Sequence, residues 1–282
     1  VIAMNFRKTQ ISVVMCVKNR EKEIERALRS VKKQKGVLEI IVVDGNSTDK
    51  TVEIAKKYAD KIYSDNGKGL AYARQLGAEK AKGEYIAYID SDTELPKENL
   101  LIRMVEEMEK NNWVAIHAQL INPRKNKTIW EYCEDMHLKT KFNEPGERRY
   151  IGTIVCVVKR NIVLKYRFDP FMKYAAEDTE FWSRVGKEHK FGVSKEVAFH
   201  YHRASFKDFV KQRIWYGKGN ARAMVKHKAW KLLLVPFGIM AYGIFQAFRC
   251  RKCIKCIPYY LVWGVALLYG TIVGLFEIVR EK

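Results

Sequence analysis

Apolar and polar positions alternate in blocks along the first third of the chain. Residues 11–16 form an aliphatic run, and residues 38–43 a second that is apolar at nearly every position. Such a run suits a strand covered on both faces, as in a parallel sheet. Between them Ile24, Ala27, Leu28 and Val31 recur at helical spacing, which predicts an amphipathic helix over 20–34. The rhythm continues with a helix reaching Tyr58, which Ser47 or Thr48 is placed to cap, and a short strand at 61–64. A helix through Ala71, Arg74 and Ala78 and a strand at 85–89 follow. Strand and helix in alternation predict an α/β fold with a mostly parallel sheet and right-handed crossovers.

The last of these strands runs into Asp90-Ser91-Asp92. On an extended backbone alternate side chains share a face, so Asp90 and Asp92 point the same way. Two neighbouring anions repel unless a cation lies between them, and hard oxygen ligands suit Mn²⁺ or Mg²⁺. Asn19 and Asp44 also follow strand ends, which brings all three segments to the carboxyl edge of one sheet, where open α/β sheets bind ligands. The glycines around Lys68 do not form Gly-x-x-x-x-Gly-Lys-Ser/Thr, and no Gly-x-Gly-x-x-Gly follows the first strand. A P-loop and a dinucleotide site are thereby excluded.

Charge changes the picture next. Against 32 acidic residues stand 52 basic ones, a formal charge of +20 on 282 residues. That excess attracts phosphates, whether of nucleic acid or of anionic lipid. No nucleic-acid signature such as an RNP box or zinc-finger spacing is present, so no nucleic acid is expected and an anionic membrane is preferred. Residues 206–228 read as a basic aromatic helix that lies against a membrane or covers the site. Uncharged runs follow at 232–248 and 257–276; the second is long enough to span a bilayer and the first is at the lower limit. Residues 1–10 hold no long apolar core, so no secretory signal is expected. Cys16, Cys133 and Cys156 read as buried thiols of a reducing compartment. Cys250, Cys253 and Cys256 recur every third residue but lack a fourth ligand, so no metal is expected there.

Four stretches in order carry a resemblance: Ser12-Val13-Val14-Met15 with Asn19; Ile41-Val42-Val43-Asp44-Gly45-Asn46-Ser47-Thr48-Asp49; Gly69-Leu70-Ala71-Tyr72-Ala73-Arg74-Gln75-Leu76-Gly77; and Asp90-Ser91-Asp92. Over most of residues 10–205 the chain resembles the family 2 glycosyltransferases of GT-A fold. The resemblance implies that Asp44 reads the base of a nucleotide-diphosphate sugar, with Asn19, Lys68, Arg74, Asp90 and Ser91 also on the donor. It implies that Asp90 and Asp92 hold Mn²⁺ or Mg²⁺ on the diphosphate, and that His202 completes the metal shell.

Glycosyl transfer also needs a base for the acceptor hydroxyl. Tyr174-Ala175-Ala176-Glu177-Asp178-Thr179-Glu180-Phe181-Trp182 offers one at the start of a helix that turns Phe181, Trp182 and Val185 inward. On the residues alone Asp178 is equally a helix cap. The resemblance implies that Asp178 is the base and Glu177 its neighbour. Phe199-His200-Tyr201-His202-Arg203 places two imidazoles on one face of an expected strand. Gln212-Arg213-Ile214-Trp215 falls one residue short of the Gln-x-x-Arg-Trp element of processive synthases, which disfavours a polymerase.

The resulting expectation is a GT-A domain over 1–205, a basic amphipathic linker over 206–231 and a membrane-associated helical hairpin over 232–282. It is a metal-dependent, inverting enzyme that transfers sugar to a hydroxyl of a lipid-linked saccharide or envelope glycan. The cell membrane is its location, with the catalytic domain on the cytoplasmic side, where nucleotide-sugars are made. One rival is a polyprenyl-phosphate sugar synthase, whose anionic acceptor Glu177 and Asp178 would repel. The other is a non-catalytic nucleotide-sugar-binding protein, against which the retained carboxylates Asp90, Asp92, Glu177 and Asp178 argue.

Overall fold

A computed structural model describes residues 9–141, 143–249 and 251–281. The segment read for a secretory signal lies largely outside these residues, as does Cys250. The chain divides into two compact units. The first takes the chain up to Pro123, Thr140–Pro170 and Asp178–Tyr201; the second takes Arg124–Lys139, Phe171–Glu177 and the chain from His202 onward.

The first unit opens as the hydrophobic pattern predicts: β1 (Ile11–Val17), α1 (Ile24–Lys32), β2 (Val37–Asp44), α2 (Thr51–Ala55), β3 (Lys61–Ser64), α3 (Leu70–Lys80) and β4 (Tyr85–Ile89). β1 pairs in parallel with β2 and β4, and β2 with β3. From Ile40 to Asp44 β2 is buried without a break, as befits a strand covered on both faces. α3 packs so close to β1 that a methyl group on Gly77 would fall 2.3 Å from a Val14 methyl. α2 is shorter than its sequence predicts, and neither Ser47 nor Thr48 caps it. The Ser47 hydroxyl accepts the Asn19 N–H at 2.8 Å, and Asp49 takes the helix-end N–H of Thr51 at 3.0 Å.

The second half of the sheet is mixed: β5 (Thr93–Glu94), α4 (Leu100–Lys110), β6 (Ala115–Ile121), then β7 (Gly146–Arg148), β8 (Val155–Lys159), α6 (Arg160–Tyr166), α7 (Glu177–Val185) and β9 (Phe191–His200), with α5 (Ile129–Lys141) falling almost wholly in the other unit. The nine-stranded sheet has the order β3-β2-β1-β4-β8-β6-β9-β5, with β7 on β9. β8 enters antiparallel between β4 and β6, while β6 and β9 are parallel. β9 stops at His200, so His202 lies beyond the strand and does not share its face as the sequence suggested.

The second unit contains α8 (Phe206–His227), a 3-10 turn (Trp230–Leu234), α9 (Val235–Arg249), a second 3-10 turn (Arg251–Cys256) and α10 (Ile257–Arg280), together with α5 and Phe171–Glu177. The helix read as a linker is therefore an integral part of this unit. Its aromatic core joins Phe209, Tyr259, Tyr260, Trp263 and Leu267 to Cys133 and Cys256. Those two cysteines form a disulfide, which corrects the expectation of separate thiols. Only the insertion of α5 among the tail helices brings together two residues 123 positions apart. Cys253 is buried and lies outside this disulfide. One helical stretch among the described residues, Cys253–Arg280, is long and apolar enough to cross a membrane; Trp230–Gln246 is apolar but shorter.

Candidate active site

Strand ends and the N-terminus of α3 build the site within the first unit. β1 ends two residues before Asn19, which adopts φ of 53°. Left-handed geometry suits Asn better than most residues. The Asn19 side-chain oxygen accepts the Thr48 N–H at 2.8 Å, and its own N–H donates to Ser47. Asn19 thus pins the loop after β2 against the loop after β1. That loop begins with Asp44, the last residue of β2, which is buried. Its Oδ2 accepts the Ser47 N–H at 3.0 Å, while its buried Oδ1 has no partner among the described residues. A buried carboxylate oxygen left bare is costly unless a ligand donates to it.

After β3 the chain turns through Asp65, a residue the sequence reading passed over. The buried carboxylate of Asp65 accepts the N–H groups of Gly67 at 2.7 Å and Gly69 at 3.2 Å. Gly69 stands at φ of 96° as it starts α3, a conformation that glycine adopts without strain. The turn presents Lys68, whose ammonium sits 4.5 Å above the Tyr72 ring. One turn further, buried Arg74 donates to the Thr153 carbonyl at 3.1 Å and pairs with Asp90 at 3.5 Å.

At the end of β4 the Thr93 hydroxyl closes a tight turn by donating to the Asp90 carbonyl at 2.7 Å. Ser91 and Asp92 are buried within it. Pairing of β5 with β9 sets Thr93 opposite His200, and His200 Nε2 lies 3.5 Å from Asp92 Oδ1. The imidazole beside the acidic pair is therefore His200. His202, in the second unit, holds Asp135 at 2.8 Å instead, and Asp135 is also paired with Lys127. Burial pushes the Asp90 carboxyl up to about 6; Arg74 and His200 oppose the rise, and the charges of Asp92 and Asp178 add to it.

Asp178 thus makes its charge felt at Asp90 across the sheet edge. It is the second residue of α7, and its Oδ2 accepts the Tyr150 hydroxyl at 3.0 Å. Its Oδ1 takes the N–H of Thr179, the next residue, at 2.7 Å, rather than one two or three residues on as a cap does. The segment before β8 crosses the same edge. Tyr150 reaches Asp178, the Thr153 carbonyl receives Arg74, and the Ile154 carbonyl receives the Asp90 N–H at 2.9 Å. Ala176 enters α7 at φ of 66°, in the left-handed region that a residue with a β-carbon rarely occupies. Glu177 is buried and belongs to the second unit.

The structure gathers Asp44, Lys68, Arg74, Asp90, Ser91, Asp92 and Asp178 on the first unit, with Asn19 as a loop staple. Among the described residues no three carboxylate, imidazole or thiolate groups are arranged to hold a metal. Asp90 and Asp92 nevertheless form an oxygen-rich donor set in which burial, and secondarily the Asp92 charge, raises Asp90, which fits a hard divalent cation.

A mixed sheet with an acidic turn at the end of its central strand defines a GT-A-like fold. Two solved structures share it. The mannosyltransferase PcManGT of Pyrobaculum calidifontis, in complex with GDP-Man and Mn²⁺, superposes with a TM-score of 0.64 at 14% identity, over 95% of this chain and 87% of that one. TarS 1–349 of S. aureus, in complex with UDP-GlcNAc, does so at 0.53 and 16%, over 97% and 92%. The sequence profile of glycosyl transferase family 2 matches residues 12–169, and the chain belongs to that family. Among curated relatives, an uncharacterized glycosyltransferase of Rickettsia bellii is 24% identical over 86% of this chain and 77% of its own length. The 4,4'-diaponeurosporenoate glycosyltransferase of Staphylococcus haemolyticus is 32% identical over 47% of this chain, which spans only 36% of that protein.

Proposed function

We propose that the chain is an inverting, metal-dependent glycosyltransferase that uses a nucleotide-diphosphate sugar. The observation that carries this is the segment before β8, which holds both groups: Tyr150 donates to Asp178, the base candidate, while the Ile154 carbonyl accepts the Asp90 N–H and the Thr153 carbonyl accepts Arg74. The bare Oδ1 of Asp44 accepts an N–H of the donor's base, and the Lys68 and Arg74 cations face its diphosphate. Asp90 and Asp92 would hold Mn²⁺ or Mg²⁺, with His200 beside them; the cation supplies charge neutralisation for the leaving diphosphate. Asp178 accepts the acceptor's hydroxyl proton as its oxygen bonds to the anomeric carbon. The bond from that carbon to the diphosphate oxygen breaks on the opposite face, which inverts the configuration. Tyr150, by donating to Oδ2, fixes the orientation of the base.

The acceptor in this reading is a hydroxyl of a lipid-linked saccharide or envelope glycan at a membrane face. Support comes from the apolar tail and the +20 charge. A TarS of Staphylococcus aureus, a poly(ribitol-phosphate) beta-N-acetylglucosaminyltransferase, is also 35% identical over 32% of this chain and 18% of its own length. Hydrolysis of common nucleotide-sugars, measured with Mn²⁺ and with a chelator, tests the donor half. Cleavage of one donor that needs the metal is expected. Indifference to every donor overturns the assignment.

A further inference from the structure

The tail helices carry an apolar face that no described residue of their own unit covers. On α10 the exposed positions are Leu261, Val265, Tyr269, Ile272, Phe276 and Val279, spaced by three and four residues along one side. Val265 is 62% exposed, Phe276 66% and Val279 71%, values unusual for large apolar side chains in such a row. α9 adds Phe237, Phe245 and Phe248, and the turn before it adds exposed Trp230 and Leu234.

The opposite side of α10 is fully committed. α8 runs against it at backbone distance: a methyl group on Gly270 would fall 2.1 Å from the Ile214 carbonyl oxygen, and one on Gly217 2.3 Å from that of Leu267. At the start of α10 the Tyr259 hydroxyl donates to Glu134, which also pairs with the buried guanidinium of Arg213. In the middle Thr271 receives the Asn220 amide at 3.2 Å. At the end Glu277 pairs with Lys218, and Glu281 with Arg222 at 2.7 Å and Lys173 at 3.0 Å. α10 is anchored by polar bonds at both ends and its centre.

Were α10 to cross a bilayer, α8 would go with it. That helix bears Lys207, Asp208 and Lys211 exposed, and Lys218 and Lys226 half-exposed. Charges of this kind are expelled from hydrocarbon. A helix with one apolar face and a polar partner behind it lies instead in the interface, parallel to the surface. Exposed Lys228, Lys231, Lys255 and Arg280 stand at the ends of these apolar segments, and Trp230 is a residue type that favours the headgroup level.

We infer that α10 and α9 form a one-sided face that rests in the plane of an anionic lipid bilayer and does not span it. This rests on the membrane reading above and sharpens it. Full-length protein is mixed with vesicles of phosphatidylcholine and phosphatidylglycerol and floated. Nitroxide labels are then placed in turn at Val265→Cys, Ile272→Cys and Val279→Cys, in a chain carrying Cys16→Ser and Cys250→Ser. In-plane seating gives three equal, shallow depths. A spanning helix separates the labels at 265 and 279 along the bilayer normal by about 21 Å, and that gradient overturns the inference while leaving membrane attachment intact. Failure of the unlabelled protein to float refutes the membrane reading itself. The triple variant Val265→Asp, Phe276→Asp, Val279→Asp, all at exposed positions, should lose vesicle binding at least tenfold. If it floats normally but turns a dimer into a monomer, a second copy of the chain is the occupant and the inference falls.

Discussion

The two units solve opposite problems with the same residue types. In the first, charged groups sit at the rim of a dry aliphatic sheet, and several are left with capacity unused: Asp44 keeps a bare oxygen, and Asp90 is pushed up to about 6. In the second, charged groups lie inside and are matched. Arg213, 1% exposed, pairs with Glu134 and stacks 4.0 Å from Trp263. Burial would raise the Glu134 carboxyl, but Arg213, His202 and the Tyr259 hydroxyl bring it down to about 2. A bare carboxylate oxygen at a sheet edge marks a place where a ligand can donate, whereas ion-paired carboxylates mark architecture. What the second unit leaves uncovered is a row of large apolar side chains.

This contrast can be broken by mutation, and the largest effect should fall on the rim. Asp178→Asn keeps the shape and the Thr179 contact but cannot take a proton. Transfer should fall roughly 10²–10⁴-fold while donor affinity, read by calorimetry, stays within a few-fold. Retained turnover would reduce Asp178 to a structural residue.

Next comes the matched interior. Arg213→Met fills the space but strands Glu134, which should cost about 3–5 kcal/mol at neutral pH. Glu134 has a folded pKa below its usual 4.5, so its contribution is present above that value and lost as pH falls toward about 2. The deficit of Arg213→Met, measured by urea unfolding of the second unit's tryptophans, should therefore shrink across that window. A deficit independent of pH would mean that packing rather than charge is lost.

Reduction of the Cys133–Cys256 bond, or Cys133→Ser, should destabilise the second unit by about 2–4 kcal/mol, since it closes a very long loop. Donor hydrolysis on the sheet edge should be spared at moderate temperature. Equal loss of both would show the units to be one cooperative body. The smallest effect belongs to Tyr150→Phe, which removes one donor to Asp178 and should lower transfer about tenfold with donor binding unchanged.

Much of the first unit was legible before any coordinates. Residues 38–43 and 85–89 announce buried strands because both faces are covered, and parallel strands need their helices in between. Asp44 and Asp90 could be placed because each stands at a strand end, where position along the chain is position in space. The antiparallel entry of β8 was not legible, for residue runs carry no direction. His202 was favoured over His200 on the resemblance alone, and the face that alternation gave to both is not shared, because the strand ends at His200. Asp65 escaped because its work is done on backbone N–H groups, which leave no side-chain signature. Membership of α5 in the tail, and with it the disulfide, depends on contacts far apart in sequence that no local period encodes.

That insertion also sets a timetable. α5 leaves the ribosome long before α8 and α10 are made, and 123 residues separate Cys133 from Cys256. At usual elongation rates this is a wait of roughly 6 to 25 s. Throughout it the sheet can acquire its strands in order, as far as β9, with Cys133, Trp130 and Glu134 deprived of the helices that will enclose them. The newborn chain therefore carries an unfinished apolar segment in the middle of an otherwise completed domain. Its safe maturation is a matter of synthesis speed and of what shelters α5 in the interval.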